Sequence, residues 1–456
     1  MIERLNKSLL YTYGVADLGF VLMVNMETYF FSAFLTDYAE FSLSMTGYIL
    51  WITAVADIVC ALAGGAILQK VTLRYGGKYR SWFLVGPPVV AVLFILQFIK
   101  IGSDITAALI IVFGFVSSHL IWNVVFTSSA SMVGRLSQSS DDRTILSASR
   151  AQGMSAAGIV FSVTHMSIIN FFTAQTNRVA AFSYTSGVYV FLMVLGYWYI
   201  YRMTAGKDPY DETLPDASRK EPGQSLMEMV GLVLENPPLL FLIAAEIFRN
   251  TYILIISTFA YYYFRYVLDN LTFLPAFILA ISIARLLGTF AATWVGVKIG
   301  KRTSYWVFLV LAAMAFISGK FFGQNAWNFT VIFCIGSLIG MIASSLSTVL
   351  FSDTVVYGEW KTGKNIRAVT MALQTFSIKL GVLIRSGVVA FGLPAIGFVA
   401  NTDPAPRVVE GFSDITTLTP AAGCIISAVI FYFGYKIKDK HVLEMEKDIA
   451  ARKASV

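Results

Sequence analysis

Twelve apolar runs, each long enough to cross a bilayer, constrain this chain more than any other feature. They lie at approximately residues 11–36, 43–69, 82–99, 105–133, 152–174, 180–201, 238–264, 271–297, 304–323, 328–352, 368–400 and 417–436. About 20 apolar residues suffice to span the hydrocarbon core. No water is present there to satisfy backbone groups, so such runs are expected to be helices. Composition agrees: 57% of the 456 residues are hydrophobic and 13% are charged, against about 25% charged in soluble domains. Cys60, Cys334 and Cys424 all lie inside apolar runs, and no CxxC or His/Cys cluster occurs. Neither a disulfide framework nor a metal site is indicated. The start, Met1 to Lys7, lacks a short apolar segment followed by a small-residue cleavage site, so the first run reads as a mature helix.

The basic residues set the expected orientation. With both termini in the cytoplasm, 25 of the 34 Lys and Arg residues fall in cytoplasmic segments. Five lie in outer loops (Lys100, Arg178, Arg265, Lys320, Arg407) and four within the membrane (Arg249, Arg285, Lys379, Arg385). This asymmetry follows the positive-inside rule. The net charge of +7 is therefore a signal of topology and not a nucleic-acid footprint. Four segments are expected: an N-terminal six-helix bundle over 1–202, a cytoplasmic linker over 203–237, a C-terminal six-helix bundle over 238–437 and a cytoplasmic tail over 438–456. Within the linker, Leu226 to Glu235 reads as a short amphipathic helix on the inner membrane face.

The halves echo one another. Lys70-Val-Thr-Leu-Arg74-Tyr-Gly76-Gly77-Lys78-Tyr-Arg80 follows the second run and Lys298-Ile-Gly300-Lys301-Arg302-Thr-Ser-Tyr follows the eighth. Each leads into an aromatic-aliphatic stretch. Matching halves are what a two-repeat transporter predicts, although any short inner loop tends to carry Gly and Lys/Arg.

A charge at the bilayer centre costs about 2.5–3.5 kcal/mol on insertion scales, so such residues face a cavity or each other. Asp17, Glu27 and Asp57 lie in the first two runs; Glu246, Arg249, Arg285, Lys379 and Arg385 lie in the seventh, eighth and eleventh. Asp57 can titrate, bind a cation or pair with Lys379 from the other half, either in a transport step or as a static pair. Asp17 can bind a polar solute, or cap or pair near the interface. Glu246 and Arg249 are three residues apart, share a helix face and are expected to pair structurally. Arg285 has no evident local partner. In the fourth run, Asn123 offers hydrogen bonds to hydroxyls and Trp122 a face for stacking on a sugar. His119 and His165 fit packing roles better than proton relay. Arg150 can reach a cavity or serve as one more inner positive charge.

Several landmarks at matching intervals carry a family resemblance over nearly the whole chain. They are Tyr13-Gly14-x-x-Asp17-x-Gly19; Leu35-Thr36-Asp37; Asp57 with Arg74 through Gly86; Asn123, Asp142-Arg143 and Leu146-Ser-Ala-Ser-Arg150; and, most specific, Asp353-x-x-x-Tyr357-Gly358-Glu359-Trp360-Lys361-Thr362-Gly363 through Gln374-Thr375-Phe-Ser-Ile-Lys379-Leu-Gly381. The chain resembles the glycoside-pentoside-hexuronide:cation symporters of the major facilitator superfamily, which include melibiose and glucuronide permeases. The resemblance implies an all-α membrane protein with twelve transmembrane helices in two six-helix bundles and alternating access. It implies a cation site at Asp57 with Lys379 beside it, and a sugar region at Arg150, Asn123 and Thr375. Asp17, Trp122 and Gln374 join that substrate set. Arg74, Lys78, Arg80, Asp353, Tyr357, Glu359 and Lys361 form an expected cytoplasmic gate.

Ala61, Leu120 and Val21 stand where melibiose-type relatives carry a second aspartate of the second helix, a cation-site threonine and a sugar-binding aspartate. With one clear carboxylate, proton coupling is expected ahead of sodium. The alternatives are an uncoupled facilitator or exchanger of an amphipathic solute, such as a steroid conjugate, and a non-transporting receptor. No HExxH, GxSxG or clustered His/Asp supports an enzyme. No cofactor is implied. The expected partners are a small-molecule substrate, a co-transported proton or sodium and the lipid bilayer of the cell membrane, with no nucleic acid.

Overall fold

The computed structural model describes residues 5–71, 73, 75–137, 139–208, 231–364 and 367–454. Its twelve candidate spans are α1 (Lys7–Tyr38), α2 (Leu43–Lys70), α3 (Arg80–Phe98), α4 (Asp104–Leu136), α5 (Asp142–Gln175), α6 (Arg178–Met203), α7 (Pro237–Val267), α8 (Leu271–Ile299), α9 (Lys301–Phe322), α10 (Ala326–Thr362), α11 (Val369–Ala395) and α12 (Pro406–Gly434). A final helix, α13, covers Asp439–Ala454. No strand occurs among the described residues. The fold is the twelve-helix, all-α architecture expected.

Local chemistry starts and stops these helices. Side chains of Ser42, Ser103, Asn177, Asn236 and Asn325 accept from backbone N–H groups in the first turns of α2, α4, α6, α7 and α10, satisfying donors that a helix start leaves open. Pro237 and Pro406 occupy first-turn positions, where a missing N–H costs nothing. Gly363 ends α10 in the left-handed region, at φ 72°.

Several helices run past the apolar windows. The run expected at 328–352 is part of a helix reaching Thr362. The charged block from Asp353 onward, which lies beyond the apolar run, forms the last turns of α10 up to Thr362. Likewise the helix that carries the α5 span begins at Ser140, so Arg150 lies about three turns inside it and not at its start. The cause is simple: hydropathy reports which residues avoid water, and a helix can continue into water without apolar residues.

The chain divides into two compact units, Met1–Arg219 with Val389–Thr402 and Lys220–Val388 with Asp403–Val456. In the first, α1 packs on α5 and α6, α2 on α4, and α3 on α4 and α6. In the second, α7 packs on α12, α8 on α10, and α9 on α10 and α12. Asn401 Nδ2 donates to the Asp37 carbonyl at 2.8 Å within the first unit. The repeat extends to details. Both α1 and α7 end in a π turn, Phe34–Tyr38 and Tyr263–Val267, followed by an acidic residue in the left-handed region, Glu40 and Asp269. Arg80 Nε donates to the Tyr201 carbonyl at 2.8 Å, and Arg302 Nε to the Tyr435 carbonyl at 2.6 Å. The two Gly/basic turns of the sequence thus begin α3 and α9 and tie each to the end of its unit's last spanning helix. Leu226 to Val230 of the expected amphipathic helix lie outside the described residues; positions 231–234 are helical.

Candidate functional site

In the first unit the site is built on a close approach of α1 and α5. A Cβ on Gly14 would run into the Ser149 carbonyl, and one on Gly153 into the Gly14 carbonyl. Small residues at these positions let the two backbones meet. Gly14 N–H donates to Ser149 Oγ at 3.0 Å, and that hydroxyl donates to the Tyr11 carbonyl at 3.0 Å. This contact sets Arg150 opposite Asp17. Its Nε and Nη2 donate to Oδ2 and Oδ1 at 2.9 and 2.8 Å, a two-pronged ion pair. The Asp17 side chain is fully buried, whereas Arg150 keeps 13% of its side chain exposed. The guanidinium lies 5.2 Å from the Phe126 ring centre, and Phe126 stacks on Phe20. Asp17 and Arg150, which the sequence offered as separate solute contacts, are therefore each other's partners.

Trp122 is buried edge-on to Phe20 and against His119, which leaves little of its face for a solute. Asn123 is half-buried, and its Nδ2 donates to the His119 carbonyl at 2.7 Å. His119 Nδ1 lies 2.9 Å from the Phe115 carbonyl, and its Nε2 faces Glu27 Oε2 at 3.5 Å. His165 is enclosed by Phe30 and Phe161, and neither of its ring nitrogens has a hydrogen-bond partner among the described residues.

Asp57 is buried at 4% exposure. Helical spacing puts it on the same face of α2 as Cys60 and Gly64. Cys60 Sγ donates to the Val116 carbonyl at 3.4 Å, and a Cβ on Gly64 would press on Asn123. Asp57 thus belongs to the face that α2 turns toward α4.

In the second unit Glu246 and Arg249 pair as expected, with both contacts at 2.7 Å. The structure adds partners that spacing did not suggest. Tyr305 donates to Glu246 at 2.7 Å, and Arg249 donates to Ser344 at 2.7 Å and to Asn250 at 2.9 Å. On α11, Gln374 donates to Thr348 at 3.0 Å, Thr375 is exposed and Lys379 is half-buried. Asp57 and Lys379 fall in different units, so each is placed within its own.

Of the expected gate, Arg74 lies outside the described residues. Lys78 lies 5.8 Å from the Tyr79 ring centre. The Tyr79 and Arg80 amides donate to Asp208 at 2.8 and 3.0 Å. Asp353 pairs with Lys301 at 2.7 Å, and Lys361 donates to the Glu235 carbonyl at 2.8 Å. Glu359 is half-buried on the last turns of α10. Tyr357 lines a cavity of about 660 Å³ with Phe241, Trp360, Phe433 and Met445. Trp360 donates to Asp448 of α13 at 3.0 Å.

Residues 12–439 match the family described as MFS/sugar transport protein. The chain belongs to that family. Within it the chain is of the glycoside-pentoside-hexuronide type, a multi-pass membrane transporter and not an enzyme. It is 25% identical over 452 residues to the uncharacterized symporter YjmB of Bacillus subtilis (strain 168), covering 98% of this chain and 96% of the relative. It is 25% identical over 453 residues to a putative sulfoquinovose importer of Escherichia coli (strain K12), covering 97% and 93%. A glucuronide carrier protein homolog of the same organism is 25% identical over 474 residues, covering 99% and 97%. Among solved structures, the nucleoside transporter NupG superimposes with a TM-score of 0.63 at 12% identity, covering 95% of this chain and all of the other. A POT family transporter superimposes at 0.62, with 12% identity and coverage of 93% and 95%. At these identities the structural likeness speaks for the fold.

Proposed function

We propose that this transporter couples uptake of a glycoside or related small organic solute to a cation, a proton ahead of sodium, by alternating access with both termini in the cytoplasm. The observation that carries the reading is Asp57, a carboxylate 4% exposed within a membrane span. A buried group of this kind costs too much to be idle and marks an ion or substrate path. Protonation removes its charge and the penalty of moving it through a low-dielectric interior. Relatives named as symporters, as a glucuronide carrier and as a sulfoquinovose importer support this class of solute and coupling.

Asp57 takes the proton, and Lys379 on α11 balances the carboxylate once the proton leaves. Arg150, Asp17, Asn123, Gln374 and Thr375 hold the solute. Arg150 remains partly exposed while locked to Asp17, so a hydroxyl-rich solute can take up donors that the pair leaves over. Trp122 shapes the site from its buried position. Arg74, Lys78, Arg80, Asp353, Tyr357, Glu359 and Lys361 close the cytoplasmic side.

The test is solute-induced ion movement in proteoliposomes with a panel of glycosides and hexuronides, using Asp57→Asn as the control. Expected is alkalinisation of the outside medium, indifferent to sodium and abolished in Asp57→Asn. Sodium stimulation would replace the proton as the coupling ion. Flux without ion dependence would make the protein a facilitator and Asp57 a structural group.

A further inference from the structure

Arg285 on α8 is an inward-facing cation with no carboxylate partner among the described residues. The lipid-facing stripe of α8 is marked by Ile283, Leu287, Phe290, Trp294 and Val297, exposed by 44% to 83%. At 3.6 residues per turn, position 285 points about 160° away from Ile283 and Leu287. It therefore shares the inner face with Ile281, Gly288 and Ala292, all buried. Yet Arg285 itself is half-buried, and its Nη2 atom is buried with no hydrogen-bond partner among the described residues.

The neighbouring arginine shows what a structural guanidinium receives here. Arg249 has both oxygens of Glu246, the Asn250 carbonyl oxygen of the side chain and the Ser344 hydroxyl. Arg285 has no carboxylate within ion-pair distance among the described residues. On α10, which packs on α8, a Cβ on Gly288 would meet the Leu338 carbonyl and Met341. That contact sets the level of Ser337, which is 2% exposed and whose hydroxyl is also without a partner among the described residues. A guanidinium on α8 and a hydroxyl on the neighbouring α10 thus both keep hydrogen-bonding capacity to spare among the described residues. A partly exposed cation on a non-lipid face borders space inside the protein, and a charge at that depth requires a counter-charge.

We infer that Arg285 receives an oxyanion, a carboxylate or sulfonate, carried by the transported solute. This rests on the solute reading above and narrows it to sugar acids and similar anionic glycosides. Arg supplies a planar fork that matches such groups in two-pronged fashion, which Lys does not.

The experiment is equilibrium binding to purified protein in nanodiscs, using para-nitrophenyl β-glucuronide and para-nitrophenyl β-glucoside, which differ only in the carboxylate. Expected is at least about ten-fold tighter binding of the glucuronide, abolished in Arg285→Gln while glucoside binding is kept. Arg285→Lys is expected to retain part of the preference. It also serves as the reading variant if Arg285→Gln does not fold, since an unchanged preference in Lys would overturn the role of the fork. Glucoside bound as tightly as glucuronide overturns the inference and leaves the glycoside reading standing. Binding of neither probe, nor of other matched acid and neutral glycosides, overturns the glycoside reading and this inference with it.

Discussion

The two units share a frame and differ in their charges. In the first, Asp17 of α1 reaches across to Arg150 of α5. In the second, Glu246 and Arg249 close on each other within α7. The turns that end α1 and α7, and the arginines that anchor α3 and α9, repeat almost group for group. A pair within one helix survives any movement of that helix. A pair between helices survives only while the two stay together. The second unit's pair therefore reads as a fixed neutralised core, and the first unit's as a junction that a solute can enter.

Six substitutions break or sharpen this contrast. The largest effect is expected from Glu246→Gln, which strands Arg249 at 5% exposure. Loss of one partner of a buried pair costs about 3–5 kcal/mol, read as a lowered melting temperature in detergent. The single amide oxygen that remains would have to serve both Tyr305 and Arg249, and the new NH2 donor would face the guanidinium. Asp17→Asn is expected to cost less, about 2–3 kcal/mol, because Arg150 retains access to solvent. It is also expected to abolish solute uptake in protein that still folds. Equal stability losses for the two variants would remove the distinction between a fixed pair and an enterable one.

Gly14→Ala comes next, at about 1–3 kcal/mol, since the added carbon meets backbone that cannot yield. In the second unit, Gly381→Ala on α11 would bring a Cβ to 3.1 Å from Asn250 Cβ of α7. A smaller loss is expected there, and thermal melts of the two variants side by side check it. The smallest effect is expected from Arg80→Ala and Arg302→Ala, at about 1–2 kcal/mol each. Because both arginines make the same anchor, the two losses should agree; a large difference would show that the shared frame is not energetically shared.

Much of this was legible in advance. The twelve spans follow from apolar length alone, and the Glu246–Arg249 pair from a spacing of three. The matching turns that begin α3 and α9 follow from Gly and basic residues in corresponding places. The pairing of Asp17 with Arg150 was not legible, although both residues stood out. They are far apart in the chain, and only the Gly14–Gly153 approach brings them together. Tyr305 and Ser344 escaped notice for the same reason: an uncharged residue on another helix announces nothing until packing places it beside a charge. Trp122 suggested a stacking face, yet Phe20 and His119 occupy its surroundings.

The sequence by itself determined that this chain lives in a membrane, how many times it spans, which charges it carries inside and which family it belongs to. These are matters of solvent preference and of local motif, and each is written in contiguous residues. Only the tertiary structure decided which buried charges meet and that Arg285 meets none of the carboxylates described around it. It also decided that the charged block after Asp353 continues a helix and is not a loop. Helix extent depends on backbone hydrogen bonding, and charge pairing on which helix faces approach, and neither quantity is carried by hydropathy.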